Sequence, residues 1–137
     1  MFESNHILVA LGIAAAVAGG CAVHLRARRK ARRFVHGRAP LDAAEFGRLF
    51  STIGEGALAP VIRDRLRGYI AVDPALVRPD DKLREDLQLA VLDGLDADAF
   101  VADIEKTVGV KIPNKEAESM RTLRDIVICV AAQTHGR

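Results

Sequence analysis

Aromatic residues are scarce in this chain, which has five Phe, one Tyr and no Trp among its 137 residues. A hydrophobic core must therefore be built mainly from Leu, Ile, Val and Ala, which favours helices. No segment alternates between apolar and polar residues over the length of a strand, so we predict no sheet. The length fits one small domain plus an additional segment, and it excludes a multidomain enzyme.

Cysteine and histidine are also few, and none is well placed for chemistry. Cys21 lies in an apolar run and Cys129 in a distant predicted helix, which argues against a disulfide framework or a zinc site. The four histidines stand outside the predicted core, and no serine or cysteine has a local base. The acidic pairs near residues 80 and 85 lack the ligand spacing of a calcium loop. We therefore predict no catalytic residue, no metal and no enzyme activity.

Acidic residues are absent from residues 26–38, which carry seven basic residues, whereas residues 41–137 carry 13 basic and 17 acidic residues. The body is thus net negative, and nine of its acids fall within residues 79–105. A nucleic acid would have to bind the basic stretch alone, without the aromatic side chains on which single-strand binders stack bases. We predict no nucleic acid among the partners.

A long uncharged run, residues 7–25, predicts a transmembrane helix near the N-terminus. At about 1.5 Å per residue its length approaches the roughly 30 Å of a bilayer's hydrocarbon core. We assign residues 1–25 to a membrane anchor. Two alternatives stay open, namely a buried helix of a soluble protein and a lipoprotein anchored through Cys21.

Basic residues follow the apolar run at once and predict its orientation. Because positive residues favour the cytoplasmic side, we expect the C-terminal body in the cytoplasm, attached to the cell inner membrane by a single pass. Residues 26–40 are predicted to form a basic linker that contacts anionic membrane lipid. The side chains assigned to this membrane surface are Arg26, Arg28, Arg29, Lys30, Arg32 and Arg33.

An extra helix is predicted at the start of the body, within residues 41–57. Asp42, with Glu45 three residues later, is typical of a capping box. The apolar positions that follow at helical spacing are Phe46, Leu49, Phe50 and Ile53. Gly54 and Gly56 are predicted to end this helix.

Four further helical segments are predicted downstream. A second helix follows Pro60, and a long proline-containing loop comes after it. The loop is predicted to be anchored on the core by Leu83, Leu87, Leu89 and Leu92. A third helix is predicted over residues 95–108 with Gly109 as its stop, then a short helical turn opened by Pro113, and a last helix capped by Thr122.

Short motifs between residues 80 and 132 resemble the acyl carrier protein family in their order and spacing. A Glu-Asp-Leu triplet at residues 85–87 precedes an Asp-x-Leu-Asp that opens an acidic helix. That helix ends in Gly-Val-Lys-Ile-Pro at residues 109–113, and Thr-Leu-x-Asp-Ile-Val at residues 122–127 opens the last helix. The resemblance implies a four-helix carrier fold over residues 58–137.

The predicted fold class is therefore all-α. It comprises a single N-terminal transmembrane helix and a small acyl-carrier-like four-helix bundle, with one extra helix between them.

The resemblance also implies an attachment site, from which this chain departs. Proteins of the family hold a phosphopantetheine arm on the Ser of an Asp-Ser-Leu motif, since the phosphodiester requires a side-chain hydroxyl. Alignment from the downstream Ile-Pro places Asp93, Gly94 and Leu95 on that motif, whereas alignment from the upstream triplet places Val91 on the serine. Neither register supplies a hydroxyl, so we predict no phosphopantetheine and no bound acyl group. The alternative is attachment at an unrecognised residue such as Ser119.

Carboxylates on the second helix of the family, and on the loop before it, face basic patches of partner enzymes. The residues that match this surface here are Asp86, Asp93, Asp96, Asp98, Asp103 and Glu105. Such a patch steers association with a basic-surfaced protein, which the resemblance implies is an enzyme of lipid or fatty-acid synthesis. The alternative is a solvated helix face whose first acids lie near the positive end of the helix dipole.

We therefore predict a membrane-tethered, non-carrying interaction module. Two other hypotheses stay open. One is an atypical true acyl carrier protein of lipid or fatty-acid metabolism, and the other places the function in the segment 41–53, as a helix that packs on a partner or on the bundle.

Overall fold

The computed structural model describes residues 3–89 and 95–136, and within these ranges the chain forms six α-helices and no strand. The helices are α1 (Glu3–Phe34), α2 (Ala43–Gly47), α3 (Ile53–Asp64), α4 (Leu95–Val108), α5 (Asn114–Ser119) and α6 (Leu123–His135). A 3-10 turn, Pro74–Leu76, lies in the long loop between α3 and α4. The all-α fold class predicted from the sequence is confirmed.

Helix α1 has two parts with different surroundings. Its apolar part, residues 7–25, is exposed along its whole length, and the segment His6–Phe34 is long and apolar enough to cross a membrane. The sequence placed the end of the helix near Leu25, but the helix continues through the basic residues to Phe34. Arg, Lys and Ala are good helix formers, and no Gly or Pro interrupts this stretch, so most of the expected linker is helical.

The extra helix is shorter than the sequence predicted. The capping box is present: Asp42 Oδ1 accepts the N–H of Glu45 at 2.8 Å, and Glu45 Oε2 accepts the N–H of Asp42 at 2.9 Å. The helix nevertheless ends at Gly47, and Thr52 caps a new helix that begins at Ile53. The prediction of one helix reaching Ile53 was wrong, because a second capping residue, Thr52, begins a separate helix.

Two glycines that were predicted to stop a helix lie inside α3 instead. Gly56 is needed for close packing, since a Cβ on Gly56 would lie 2.8 Å from the carbonyl oxygen of Gly47, and a Cβ on Gly47 would lie 2.5 Å from that of Gly56. Pro60, also inside α3, has no N–H to bond the Gly56 carbonyl in the usual helical manner. Gly56 therefore permits a backbone contact with α2, while Gly54 faces the side chain of His135, and neither glycine ends a helix.

Helix α3 also ends earlier than the sequence predicted. The second helix was expected to begin after Pro60 and to reach Ile70, but α3 spans Ile53–Asp64 and the chain then turns. Gly68 adopts a φ of +92° in this turn, which favours glycine. The expected domain boundary after residue 57 accordingly falls inside a helix.

The core is mainly aliphatic, as the composition predicted, and it includes three buried phenylalanines, Phe46, Phe50 and Phe100. Helices α3 and α6 pack against each other, and the loop between α3 and α4 covers them. The largest fully buried side chains are Phe46, Ile62, Leu66, Val77, Leu87, Phe100, Ile104, Leu123, Val127 and Val130. Full burial of each stabilises the fold by about 1.5–3 kcal/mol relative to exposure.

The long loop is anchored on the core, as predicted. Leu83, Leu87 and Leu89 are buried, while Leu92 lies outside the described residues. The Leu83 N–H donates to the carbonyl of Arg121 at 2.9 Å, and the Arg124 N–H donates to that of Pro79 at 3.0 Å. Backbone bonds therefore tie the loop to the start of α6.

The predictions for the last three helices are confirmed. Helix α4 spans Leu95–Val108 with Phe100 and Ile104 buried, and Gly109 ends it at a φ of +76°. Helix α5 opens after Pro113. Thr122 caps α6 through a capping box with Asp125. The inward-facing residues of α6 include the four predicted ones, Leu123, Ile126, Val127 and Val130.

The segment around α2 packs on the bundle rather than standing apart from it. Phe46 is fully buried and Phe50 nearly so, in the same cluster as the core of α6. Arg63 is buried too: its guanidinium lies 4.4 Å above the Phe46 ring and donates to the Leu41 carbonyl at 2.9 Å. Burial lowers the pKa of Arg63 from its ordinary value. The predicted apolar position Ile53, in contrast, is 94% exposed.

Candidate functional site

The predicted docking surface is centred on the first half of α4. Asp98 lies there with an exposed side chain. Asp93 and Gly94, like Val91, lie outside the described residues, and so do the side chains of Leu95 and Asp96, whose backbone begins the helix.

The second half of α4 uses its predicted carboxylates in contacts within the bundle. Asp103 Oδ1 lies 3.6 Å from Arg65 Nη1, an ion pair that links α4 to the turn after α3. Glu105 Oε1 accepts the N–H of Ile112 at 2.9 Å, and Oε2 lies 3.5 Å from Lys111 Nζ. The Glu105 side chain is only 18% exposed. Glu105 thus stabilises the turn that follows α4. Its carboxylate is less accessible to another protein than a fully solvated carboxylate would be.

Asp86 likewise has a local role. Its Oδ2 accepts the N–H of Lys82 at 2.9 Å, and the Asp86 N–H donates to the Lys82 carbonyl at the same distance. These reciprocal bonds fix a turn in the long loop, and the Asp86 side chain is partly buried. Among the predicted acids whose side chains the structure describes, Asp98 is exposed. Asp86, Asp103 and Glu105 are only partly exposed.

Few hydroxyl groups lie near this surface, and one of them, that of Tyr69, donates to the Ala99 carbonyl in the first half of α4 at 3.5 Å. No Ser, Thr or Tyr occurs between Asp86 and Lys106. Thr107, at the far end of α4, donates its hydroxyl to the Asp103 carbonyl at 2.7 Å. Ser119 is exposed at the end of α5 and donates to the Glu116 carbonyl at 2.8 Å. No residue between Asp86 and Lys106 therefore supplies the hydroxyl that a phosphopantetheine ester requires.

A cleft of about 670 Å³ lies between the long loop, α4, α5 and α6. Apolar side chains of its wall include Leu83, Leu89, Phe100, Val101, Met120 and Ile126. Charged side chains of both signs, among them Arg84, Asp98 and Arg121, also line it. The sequence did not predict this cleft, because its walls come from segments far apart in the chain.

Cys129 faces a carboxylate across the α5–α6 contact. Its thiol donates to Glu116 Oε2 at 3.0 Å. Burial, together with the hydrogen bond and the negative charge of Glu116, raises the pKa of Cys129 to about 11. The thiol is therefore protonated at neutral pH and is a poor nucleophile.

The six basic side chains of the predicted membrane surface are all exposed on the second part of α1. Two alanines of the same stretch, Ala27 and Ala31, are buried instead, as is Val35 in the turn directly after the helix. The basic residues thus remain available to solvent or lipid while one side of the helix contacts protein.

Sequence comparison finds similarity to curated acyl carrier proteins. The chain is 36% identical over 58 residues to that of Thermosynechococcus vestitus, a match that covers 42% of this chain and 68% of that protein. The match to the protein of Campylobacter hominis is 35% identical over 66 residues, 48% of this chain and 80% of the other. The match to the protein of Aster yellows witches'-broom phytoplasma is 30% identical over 73 residues, 53% of this chain and 92% of the other. No family model and no solved structure matches the chain.

Proposed function

This chain belongs to the acyl carrier protein family, and from that premise we propose that it is a membrane-tethered module that docks on a protein partner without carrying an acyl group. The partner has a basic surface and acts in lipid or fatty-acid synthesis at the cytoplasmic face of the inner membrane. The chain itself has no catalytic role. Its contribution is to bring a carrier-shaped surface to the membrane.

The observation that carries this proposal is the missing hydroxyl. Gly94 stands where the family attaches its prosthetic arm, and a glycine has no oxygen to esterify. The alternative register places Val91 there, which also lacks one. The nearest threonine, Thr107, lies at the opposite end of α4.

Membrane tethering is supported by the two parts of α1. The apolar part is exposed over its whole length, which is unfavourable in water but favourable in a bilayer. The basic part begins directly after it, and its exposed side chains would contact anionic headgroups on the cytoplasmic side. Tethering raises the local concentration of the module near a membrane partner.

Docking is proposed to depend chiefly on the first half of α4. Asp98 is exposed, whereas Asp103 and Glu105 already contact Arg65, Lys111 and the backbone of the following turn. An exposed carboxylate steers a basic partner and fixes its orientation more than it adds affinity, and salt weakens such contacts.

The absence of carrying is tested by mass spectrometry. The purified full-length chain in detergent is incubated with coenzyme A and a broad-specificity phosphopantetheinyl transferase, with an acyl carrier protein such as that of Campylobacter hominis as a positive control. We expect the control to gain the phosphopantetheine mass and this chain to remain unchanged. A single adduct on this chain would overturn the proposal, and an adduct mapped to Ser119 would support an atypical carrier instead.

Docking is tested by charge reversal. Asp98→Lys and the control Asp64→Lys make the same change of charge at exposed positions on different helices. Each protein is used to capture partners from detergent extracts of its native membranes. We expect the wild type and Asp64→Lys to retain the same partners and Asp98→Lys to lose them. Equal recovery by all three proteins would count against acidic docking.

A further inference from the structure

The basic end of α1 packs on the carrier-like body. Ala31 is fully buried and Ala27 and Val35 nearly so. Ala31 and Val35 belong to the same hydrophobic cluster as Phe46 in α2 and Phe100 in α4. Ala27 and Ala31 are spaced four apart on one side of α1, and Val35, in the turn directly after the helix, continues this spacing. The body therefore contacts a defined face of α1.

The exposed basic residues occupy the rest of the helix circumference. At 3.6 residues per turn, the face centred on Ala31 is opposite the direction of Arg29 and Arg33. The other basic side chains, Arg26, Arg28, Lys30 and Arg32, fall between these two directions, and all six are exposed. One face of this helical segment thus holds the body and the remainder is positively charged.

An ion pair fixes the chain directly after α1. Arg38 Nη1 lies 2.6 Å from Asp81 Oδ2, and Arg38 Nη2 lies 3.1 Å from Oδ1. The same guanidinium donates to the Leu76 carbonyl at 3.1 Å and lies 4.6 Å from the centre of the Phe34 ring. Asp81 is only 6% exposed, so loss of its partner would leave a sheltered, uncompensated charge.

Further bonds to the body follow at Ala39 and Leu41, before α2 begins. Arg78 donates to the Ala39 carbonyl at 2.6 Å, and the Leu41 N–H donates to the Ala75 carbonyl at 2.9 Å. Arg63 donates to the Leu41 carbonyl at 2.9 Å. A segment bonded in this way does not behave as a flexible linker.

The packing begins immediately beyond the apolar run. Ala27 lies two residues after Leu25, which is about 3 Å along a helix axis. A body that contacts α1 at this level must lie against the headgroup layer if residues 7–25 cross the bilayer. The basic face of the same helical segment then lies at the depth of the lipid phosphates.

We infer that α1 and the carrier-like body form one rigid unit, seated on anionic headgroups, which presents α4 at a fixed height to a protein partner in the same membrane. This inference rests on the proposed membrane tether. It adds that the tether is not a flexible leash, so the partner's basic surface must lie close to the bilayer.

The rigid unit is tested by pulsed electron spin resonance on the full-length chain. The protein is placed in nanodiscs of phosphatidylethanolamine and phosphatidylglycerol, with one spin label on the native Cys21 and another on Lys106→Cys, in a Cys129→Ala background. Ala31→Glu puts a carboxylate into the α1 contact, and Ala132→Glu makes the same change at an exposed position. Alkaline carbonate extraction of native membranes separately tests the span.

We expect a single narrow peak in the distance between the two labels for the doubly labelled parent protein and for Ala132→Glu. For Ala31→Glu we expect a broad distribution of this distance. If Ala31→Glu fails to fold by circular dichroism, Asp81→Asn replaces it, with broadening again expected. A broad distribution in the parent, or a narrow one in a folded Ala31→Glu, would overturn the rigid unit while leaving the tether intact. Release of the protein by carbonate would instead overturn the tether and, with it, the proposed function.

Discussion

Helices α3 and α4 are held in the bundle by different kinds of contact. Helix α3 meets α2 backbone to backbone, where Gly47 and Gly56 leave no room for a Cβ. Helix α4 is held by side chains, with Phe100 and Ile104 buried in the core and the Phe100 ring 5.5 Å from that of Tyr69. A backbone contact is sensitive to any added atom, whereas a side-chain contact is sensitive to atoms removed. The contact of α3 with α2 should therefore be sensitive to an added methyl group, and the contact of α4 with the core to a truncated side chain.

The largest effect is expected at the side-chain contact. Phe100→Ala should lower the free energy of unfolding by about 3–5 kcal/mol, because it removes a buried ring and leaves a cavity. Urea unfolding of the full-length chain in detergent, followed by circular dichroism, measures the change. Ala99→Gly, at an exposed neighbouring position of α4, is the control for helix propensity and should cost about 1 kcal/mol. A Phe100→Ala loss no larger than that of the control would contradict burial as the force that holds α4.

Adding a methyl group at the backbone contact should lower the free energy of unfolding by an intermediate amount. Gly56→Ala should destabilise by about 1–3 kcal/mol, because the new Cβ meets the carbonyl oxygen of Gly47 and neither backbone can move aside. The matched control is Gly54→Ala, two residues earlier in α3. Its Cβ would meet Nε2 of His135 at 2.8 Å, at the exposed end of a side chain that can rotate away.

The same unfolding assay separates the two alanines. Gly54→Ala should be neutral or stabilising by up to about 1 kcal/mol, since alanine favours the helix. If both substitutions had the same effect, helix propensity would outweigh the interhelical contact, and the comparison between α3 and α4 would lose its physical basis.

Loss of the polar side-chain contact between Cys129 of α6 and Glu116 of α5 should have the smallest effect on the free energy of unfolding. The pKa of Cys129 is raised from 9.0 to about 11, so the fold favours the protonated thiol. Its contribution to stability is fully present below pH 9 and is lost as the pH rises through 11, because the unfolded chain ionises first. Cys129→Ala should show a shallower fall in the midpoint of urea unfolding across this interval. Parallel pH profiles for both proteins would show that the thiol contributes nothing.

Local signals in the sequence were sufficient where they agreed with one another. In α4 the apolar spacing, the acidic start and Gly109 all predict the same bounds, which the structure confirms. In α3 the glycines were misleading: Gly54 and Gly56 predict a stop, but Thr52 caps a helix that contains both of them. Only the approach of Gly47 shows why Gly56 is present, because a glycine required for close packing and one that ends a helix look alike in sequence.

The acids of the candidate site were identified from the sequence, but their roles were not. That Asp103 would pair with Arg65, and that Glu105 would bond the Ile112 N–H, depends on how the chain turns after α3 and α4. The ion pair of Arg38 with Asp81 joins residues distant in the chain, and no local pattern predicts it.

The sequence by itself determined the helical class, the apolar and basic parts of α1, the family resemblance and the absence of a hydroxyl-bearing residue between Asp86 and Lys106. These depend on composition, on spacing and on the atoms that a residue type possesses. The tertiary structure decided which helices Gly47 and Gly56 bring together, which of the described carboxylates contact the bundle, and that Ala31 of α1 lies in the core of the body. Such properties arise only from distances between residues that folding brings together, and a linear pattern does not contain them.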